Sequence, residues 1–234
     1  IQPHDLSRRS SRLVVLDVDS TLIRNEVIDL LGAEAGHRDA VAYLTERAML
    51  GEIDYVDALK ERVALLKGAK EDIIERAISK MILTAGGRTF IRTLKRLGYK
   101  VAIISGGFAP FTDHLARELD LDHAYSNTLQ VVDGVLTGEV EGEIIDADRK
   151  ATLLEDIALR EGIPLEQTVA IGDGANDLPM LKKAGLGIAF NAKPALREAA
   201  DTALNVPYLD AILFMLGVSR EEVEAADALD TNFQ

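Results

Sequence analysis

A run of four apolar residues ends directly on two aspartates near the start of this chain. Residues 13–22 read LVVLDVDSTL. A short run of Leu and Val predicts a strand that is buried on both faces, as in a parallel sheet covered by helices. Open α/β sheets bind ligands at the carboxyl ends of such strands. Asp17 and Asp19 are therefore expected at that edge, where one carboxylate can act as a nucleophile while the other exchanges protons.

Two later apolar runs also end on polar residues. Residues 99–104 are followed by Ser-Gly-Gly over 105–107, and residues 168–171 are followed by GDGAND over 172–177. Small residues let backbone amides approach an oxyanion, and the two carboxylates and the amide of the third motif suit a hard divalent cation. Each motif alone also fits an ordinary turn. Three such strand ends along one edge of one sheet favour a catalytic site.

The composition excludes several classes of function. A net charge of −13 over 234 residues repels nucleic acid and anionic membranes, so neither is expected as a partner. The sequence contains no cysteine, which excludes disulfides, thiolate metal sites and a cysteine nucleophile. The apolar run over 211–218 is too short to span a bilayer and the amino end lacks a signal-peptide core, so a cytoplasmic location is expected. The chain begins with Ile1 rather than Met, which fits a truncated chain or a short form.

Between the first two predicted strands, residues 26–81 carry apolar side chains at helical spacing. The pattern predicts four helices, over 26–36, 37–50, 54–67 and 70–81. Four helices without a strand predict a small bundle that is inserted after the first strand and covers the sheet edge as a lid. The expected domains are a core of 12–25 and 82–218, a cap of 26–81 and a polar tail of 219–234. An Asp-Gly pair at 133–134, between two alternating runs, predicts a β-hairpin that forms a flap or edge ribbon.

One cation interrupts an apolar face of the third predicted helix. Arg62 falls on the same face as Tyr55 and Leu59 because residues three, four and seven apart lie above one another on a helix. A guanidinium among apolar neighbours requires an anion or water. It either binds a charged group of a ligand, extends to solvent, or pairs with a nearby acid such as Glu61 or Asp57.

Two other charged residues stand at predicted helix starts. Glu26 begins the first helix of the bundle, where the helix dipole favours an acid without any further role. Lys150 lies in the first part of a helix predicted over 147–161, where the dipole disfavours a cation. The lysine is therefore either a solvated surface residue or has another purpose.

Taken in chain order, these motifs resemble a known family. DVDST over 17–21, SGGF over 105–108, Lys150 and GDGAND over 172–177 are similar to the motifs of the haloacid dehalogenase (HAD) superfamily of phosphatases. Glu26, and residues 51–68 with Tyr55 and Arg62, resemble its phosphoserine phosphatase branch. The likeness covers residues 13–218. It implies an α/β fold, with a Rossmann-like parallel sheet as core, an inserted four-helix-bundle cap and a small β-hairpin flap.

The resemblance also implies a reaction and a set of roles. Asp17 would attack the phosphorus of phosphoserine and become an aspartyl phosphate, while Asp19 would protonate the leaving serine alkoxide and then deprotonate the attacking water. Mg²⁺ would be held by Asp17, the main-chain carbonyl of Asp19 and Asp173, with Asp177 supporting the metal shell. The products would be serine and phosphate, as in the last step of serine biosynthesis.

The implied substrate residues divide between the phosphate and the amino acid. Arg62 would bind the carboxylate and Glu26 the ammonium, with Met49 and Tyr55 closing the pocket. The residues implied to meet the phosphate are Ser105, Gly106, Gly107, Lys150 and Asn176. The family often has phenylalanine at the position of Tyr55 and serine at that of Ala58, so the lid packing departs slightly from the pattern.

Several alternatives stay open at this point. A related enzyme would be another HAD phosphomonoesterase, or a phosphotransferase that passes the group from phosphoserine to homoserine. A receiver domain also phosphorylates an aspartate beside magnesium and lysine, but it needs neither Asp19 nor a helical lid. A binding protein without catalysis is a further possibility. The expected assembly is a monomer or homodimer.

Overall fold

In the computed structural model, which describes residues 12–49 and 52–228, seven strands form one sheet. The strands are β1 (Leu13–Leu16), β2 (Lys100–Phe108), β3 (His123–Val132), β4 (Val135–Glu141), β5 (Thr168–Gly172), β6 (Leu186–Phe190) and β7 (Thr202–Leu204). Their order is β4-β3-β2-β1-β5-β6-β7, and only the β3–β4 pair is antiparallel. The predicted α/β fold with a Rossmann-like parallel sheet is confirmed.

Eleven helices are present in the described residues. Four of them follow β1: α1 (Val27–Glu34), α2 (Arg38–Met49), α3 (Tyr55–Ala64) and α4 (Asp72–Ile78). The others are α5 (Gly87–Arg96), α6 (Ala109–Leu119), α7 (Ala147–Arg160), α8 (Leu178–Lys183), α9 (Pro194–Ala199), α10 (Ala211–Met215) and α11 (Arg220–Ala228). The predicted four-helix cap is therefore present. None of the helices in this part of the chain has the length and apolar character needed to cross a bilayer.

The central strand is covered on both faces, as its uniformly apolar sequence predicts. Val14 and Leu16 belong to the apolar core that also contains the buried side chains of α5 and α6. Leu13 and Val15 belong to a second core that contains those of α7 and α8. All four residues are fully buried. Because helices cover both faces of the sheet, a ligand can reach this central strand at its carboxyl end.

The cap joins the core at three places. Its two chain crossings pair with each other through an isolated antiparallel bridge between Ile23 and Leu83. The third junction is the hairpin β3–β4. The backbone N–H of Gly68, in the α3–α4 loop, donates to the carbonyl of Leu136 (2.9 Å), and the N–H of Leu136 donates to the carbonyl of Ala69 (2.9 Å). The predicted hairpin therefore extends the sheet and also supports the cap.

Two segments differ from the sequence-based expectation. Residues 105–107 lie inside β2 rather than in a turn after it, and the register with β3 shifts between Ile104 and Phe108. The first part of the expected polar tail forms α11, which contacts α5 and buries Ala226. The packing of α11 on α5 explains why this acidic segment is helical. Residues 229–234 lie outside the described residues.

Candidate active site

The two aspartates of the first motif lie between β1 and the turn that follows it. The N–H of Asp17 donates to the carbonyl of Ile171 (2.9 Å), which fixes this residue beside the end of β5. The chain then turns through Ser20, whose φ of 58° lies in the left-handed region. Across this turn, the N–H of Val27 donates a hydrogen bond to Oδ1 of Asp19 (2.8 Å). The two carboxylates therefore have different partners, as different chemical roles require.

Lys150 is a fully buried lysine in the first turns of α7. Its Nζ donates to Oδ1 of Asp17 and to Oδ1 of Asp177 (2.7 Å). Burial alone lowers the pKa of an ammonium, but the Asp17 and Asp177 carboxylates raise the pKa of Lys150 above its usual value. The lysine is therefore charged, and the alternative of a solvated surface lysine is excluded.

Three carboxylates converge next to this lysine. Asp17, Asp173 and Asp177 each offer an oxygen, and these oxygens all lie within 4.8 Å of one another. Burial and the neighbouring Asp177 raise the pKa of Asp173 to about 7. Burial, followed by the charge of Asp177, raises the pKa of Asp17 well above its usual value, against the effect of Lys150. One ammonium does not balance three carboxylates at this distance, so the donor set fits a divalent cation with oxygen ligands.

The three carboxylates differ in how many of their oxygens accept hydrogen bonds from the protein. Asp177 uses both oxygens within the protein, because Oδ1 accepts from Lys150 and Oδ2 accepts from the N–H of Gly174 (3.0 Å). Asp173 accepts one hydrogen bond, from the hydroxyl of Thr21 (3.1 Å). Lys150 contacts only Oδ1 of Asp17, so Oδ2 of Asp17 has no hydrogen-bond partner among the described residues. This pattern favours Asp17 and Asp173 as direct ligands and Asp177 as the residue that holds Lys150 and the backbone of Gly174.

The end of β2 places a buried hydroxyl and the backbone of Gly107 close to Asp19. Ser105 is fully buried. Its hydroxyl accepts a hydrogen bond from the N–H of Gly107 (2.8 Å) and donates a longer one to Oδ2 of Asp19 (3.4 Å). A Cβ on Gly107 would stand 3.1 Å from the same Asp19 oxygen. The absence of a side chain at this position therefore lets the backbone approach the catalytic edge closely.

Asn127 is a site residue that the sequence reasoning missed. It lies in β3 with 1% exposure, where its Nδ2 donates to the carbonyl of Gly106 (2.8 Å) and its Oδ1 accepts from the N–H of Ile145 (2.8 Å). The amide thereby holds the Ser-Gly-Gly backbone against the segment that leads into α7. The available signal was an asparagine next to the alternating run of 129–132, where apolar and β-branched residues are otherwise favoured.

One cavity brings the core residues and the cap residues together. Its volume is about 630 Å³. The predicted site residues that line it are Asp17, Asp19, Glu26, Tyr55, Arg62, Gly106, Gly107, Asp173 and Asn176. Ser105, Lys150 and Asp177 are fully buried behind this surface. The side chain of Met49 lies outside the described residues. A second cavity of about 950 Å³ lies against α3, β4 and α7 and has none of these residues in its wall.

Arg62 enters this cavity from α3 without a carboxylate partner. It is 8% exposed, so it does not extend to bulk water. Its Nε donates to the carbonyl of Ala58 (3.1 Å) and its Nη1 donates to the hydroxyl of Thr45 (3.3 Å). Within the described part of the chain it forms no ion pair, neither with Glu61 nor with Asp57. A buried guanidinium with neutral partners can bind an anion that enters the cavity.

Glu26 lies at the boundary between core and cap. Its Oε1 accepts a hydrogen bond from the hydroxyl of Ser20 (2.7 Å), in the same turn that presents Asp19. Burial raises its pKa. Burial and the charge of Glu26 also raise the pKa of Asp19 to about 7. Asp19 is therefore a carboxyl group able to give and take a proton near neutral pH, which is the requirement for a general acid and base.

The comparisons with known proteins agree with this geometry. The haloacid dehalogenase-like hydrolase family matches residues 14–182. A phosphoserine phosphatase of Streptomyces coelicolor is 59% identical over 224 residues, covering 96% of this chain and 55% of its own length. Phosphoserine phosphatase SerB2 of Mycobacterium tuberculosis is 54% identical over 230 residues, covering 98% of this chain and 56% of its own length. This chain thus spans about half the length of these two relatives.

A solved structure gives the same result for the fold. It is described as a phospho-aspartyl intermediate analogue of phosphoserine phosphatase, it is 46% identical, and it superposes with a TM-score of 0.83 over 88% of this chain and 98% of that one. The family match covers most of the sheet, the whole cap and all three strand ends that carry the aspartates and Ser105. The chain belongs to the haloacid dehalogenase-like hydrolase family.

Proposed function

We propose that this chain hydrolyses O-phospho-L-serine to L-serine and phosphate in a Mg²⁺-dependent reaction through a phosphorylated Asp17. The observation that carries the proposal is the 630 Å³ cavity itself. Its core side carries Asp17, Asp19 and Asp173, which are suited to phosphoryl transfer. Its cap side carries the buried cation Arg62 and the acid Glu26. These two charges complement the carboxylate and the ammonium of an amino acid.

The carboxylate of Asp17 is the proposed nucleophile. It forms a bond to phosphorus as the bond between phosphorus and the serine oxygen breaks, and the leaving alkoxide takes a proton from Asp19. Asp19, now ionised, removes a proton from a water whose oxygen bonds to the phosphorus. The bond between phosphorus and Asp17 then breaks, phosphate is released and Asp17 returns to its carboxylate form. Lys150 and the hydroxyl of Ser105 stabilise the negative charge on the transferring group.

Asp17 and Asp173 are the side chains proposed to hold Mg²⁺, together with the main-chain carbonyl of Asp19. When bound, the cation supplies charge stabilisation for the phosphoryl oxygens. Asp177 keeps Lys150 and the loop at Gly174 in place. Asn176, which lines the cavity, is proposed to orient the phosphate.

The names of the relatives support the substrate. Two proteins that match nearly all of this chain are phosphoserine phosphatases, and the solved relative carries an analogue of a phospho-aspartyl intermediate. Because this chain spans about half of those two relatives, the activity of the whole protein is part of the proposal. A cytoplasmic location and a monomeric or dimeric assembly stay predictions.

Two alternatives give different results in one assay. Phosphate release is measured with L-phosphoserine, with phosphoethanolamine, which lacks the carboxylate, with phospholactate, which lacks the ammonium, and with p-nitrophenyl phosphate. We expect the highest kcat/KM for phosphoserine and a loss with each truncated compound. Equal values for all four would indicate a general phosphomonoesterase. Phosphohomoserine formed at the expense of phosphate, when homoserine is added, would indicate the phosphotransferase.

A further inference from the structure

We infer that Thr45 is a positioning residue that sets the orientation of Arg62 for the substrate carboxylate. Thr45 lies on α2 and lines the active-site cavity next to the cap residues already described. The inference rests on the proposed function, because it assigns a second residue to recognition of the amino-acid end. It adds a residue that no sequence motif indicated.

The hydroxyl of Thr45 is held in one direction. It donates to the carbonyl of Val41 one turn earlier in α2 (3.1 Å). Since its only hydrogen is used in that bond, the oxygen presents a lone pair to Nη1 of Arg62 (3.3 Å), which donates to it. The chain of two hydrogen bonds therefore joins the backbone of α2 to the guanidinium on α3.

The two bonds of Arg62 also decide which side of the guanidinium stays available. Nε donates to the carbonyl of Ala58 (3.1 Å), so the edge that contains Nε is occupied. Nη1 keeps one N–H and Nη2 keeps two, because no other hydrogen bond of Arg62 is present among the described residues. The N–H groups that a carboxylate can bind are therefore those left on Nη1 and Nη2. Without the Thr45 hydroxyl, the bond from Nε to Ala58 is the one hydrogen bond among the described residues that still orients the guanidinium.

The experiment compares Thr45→Val with Thr45→Ser in the whole chain with Mg²⁺. Valine has nearly the same shape but no hydroxyl, while serine keeps the hydroxyl. The substrates are L-phosphoserine and p-nitrophenyl phosphate. We expect Thr45→Val to raise KM for phosphoserine about 2- to 10-fold, the range of an ordinary net hydrogen bond, because the lost bond orients Arg62 and does not itself contact the substrate. Because Arg62 contacts a part of the substrate that does not react, kcat should change less than KM. Serine should restore most of the loss.

A matched control and a double variant make the result specific. Thr152→Val removes a hydroxyl that bonds to the carbonyl four residues earlier in the same way, from Thr152 to Asp148 (3.0 Å), on an exposed part of α7. It should leave both substrates unaffected. If Thr45 acts through Arg62, Thr45→Val should add little to the loss of Arg62→Ala when the two are combined, because the interaction energy of the pair is then already lost.

The outcomes separate the two proposals. Unchanged KM in Thr45→Val, an equal loss for both substrates, or full additivity with Arg62→Ala would overturn the role of Thr45 while leaving the phosphatase proposal intact. A wild-type chain that shows no preference for phosphoserine over phosphoethanolamine would overturn both, because Arg62 would then have no substrate carboxylate to bind.

Discussion

The hydroxyl oxygen of Tyr55, on the cap, occupies the space that a side chain on Gly106, in the core, would fill. A Cβ built on Gly106 would overlap that oxygen, whereas the ring carbon that carries it would be 3.3 Å away. Cap and core therefore touch directly above the Ser-Gly-Gly segment. This contact between cap and core depends on glycine at position 106.

The first prediction follows from that contact. Gly106→Ala should force Tyr55 and α3 away from the core, at a cost of about 1–3 kcal/mol for overpacking. If this overpacking moves the cap away from the core, kcat/KM for phosphoserine should decrease by about 5- to 150-fold. Tyr55→Phe removes the overlapping oxygen, so the double variant Gly106→Ala/Tyr55→Phe should recover most of the activity.

The control for this prediction is Gly87→Ala at the start of α5. A Cβ there would meet its nearest neighbour at 3.6 Å, an ordinary contact, so activity and thermal stability should stay close to those of the wild type. Failure of Tyr55→Phe to rescue Gly106→Ala would show that the steric contact is not the cause of the loss.

A second prediction concerns the acidic cluster. Mg²⁺ should raise the melting temperature in a calorimetric scan, by roughly 5–11 °C at 100 times its dissociation constant, since such binding contributes about 2.7 kcal/mol. Asp173→Asn should remove this shift and, because it removes one of three crowded carboxylates, should not lower the melting temperature of the metal-free protein. Asp120→Asn, at a residue whose side chain is 95% exposed, should keep the shift. Calcium should bind the same three carboxylates but inhibit turnover, because the coordination geometry of calcium is looser than that of magnesium. Full activity in excess chelator would contradict a requirement for a metal ion in turnover.

A third prediction separates the two aspartates by leaving group. Asparagine at position 19 keeps an oxygen for the N–H of Val27 but cannot donate a proton as an acid. Asp19→Asn should therefore reduce kcat for phosphoserine by about 10²- to 10⁴-fold. The loss in the first-turnover release of nitrophenolate from p-nitrophenyl phosphate should be much smaller, because nitrophenolate leaves without a proton. Equal losses of the first-turnover rate on the two substrates would argue against Asp19 as the general acid.

A fourth prediction places substrate choice in the cap. Arg62→Ala should lower kcat/KM for phosphoserine by about 10- to 150-fold, which corresponds to roughly 1.5–3 kcal/mol for a hydrogen bond to a charged group. Arg62→Lys should recover only part, because lysine lacks the planar fork. Turnover of p-nitrophenyl phosphate should hardly change. The matched variant Arg76→Ala, on the exposed face of α4 where Arg76 pairs with Glu34 and Asp72, should leave the preference for phosphoserine intact. If both substrates are lost together in Arg62→Ala, the arginine is structural.

The catalytic edge was predictable because each of its parts is local in the sequence. Asp17, Ser105 and Asp173 follow short apolar runs, and the position of a strand end can be inferred from such a run. The parallel arrangement then brings the three ends together, since β1 pairs with both β2 and β5. For the same reason the four helices of the cap follow from their apolar spacing alone.

The residues that sequence reasoning missed act between elements. Thr45 and Arg62 are 17 residues apart on two helices, and Asn127 reaches Gly106 and Ile145 across 21 and 18 residues. Contacts of this kind depend on how helices and strands pack, which no local pattern encodes. The helix α11 was missed because its stability comes from packing on α5 rather than from its own acidic sequence.

Phosphorylation of Asp17 can be followed directly by rapid-quench analysis with phosphoserine that carries a label in its phosphate. Acid quenching within the first turnover should trap label on the protein, hydroxylamine should release it as expected for an acyl phosphate, and peptide mapping should locate it in residues 13–22. Asp17→Asn should carry no label, while Asp19→Asn should accumulate it when an aryl phosphate donor is used, because water attack then lacks its base. Label on another peptide, or single-turnover hydrolysis by the wild type without any labelled protein, would contradict the account.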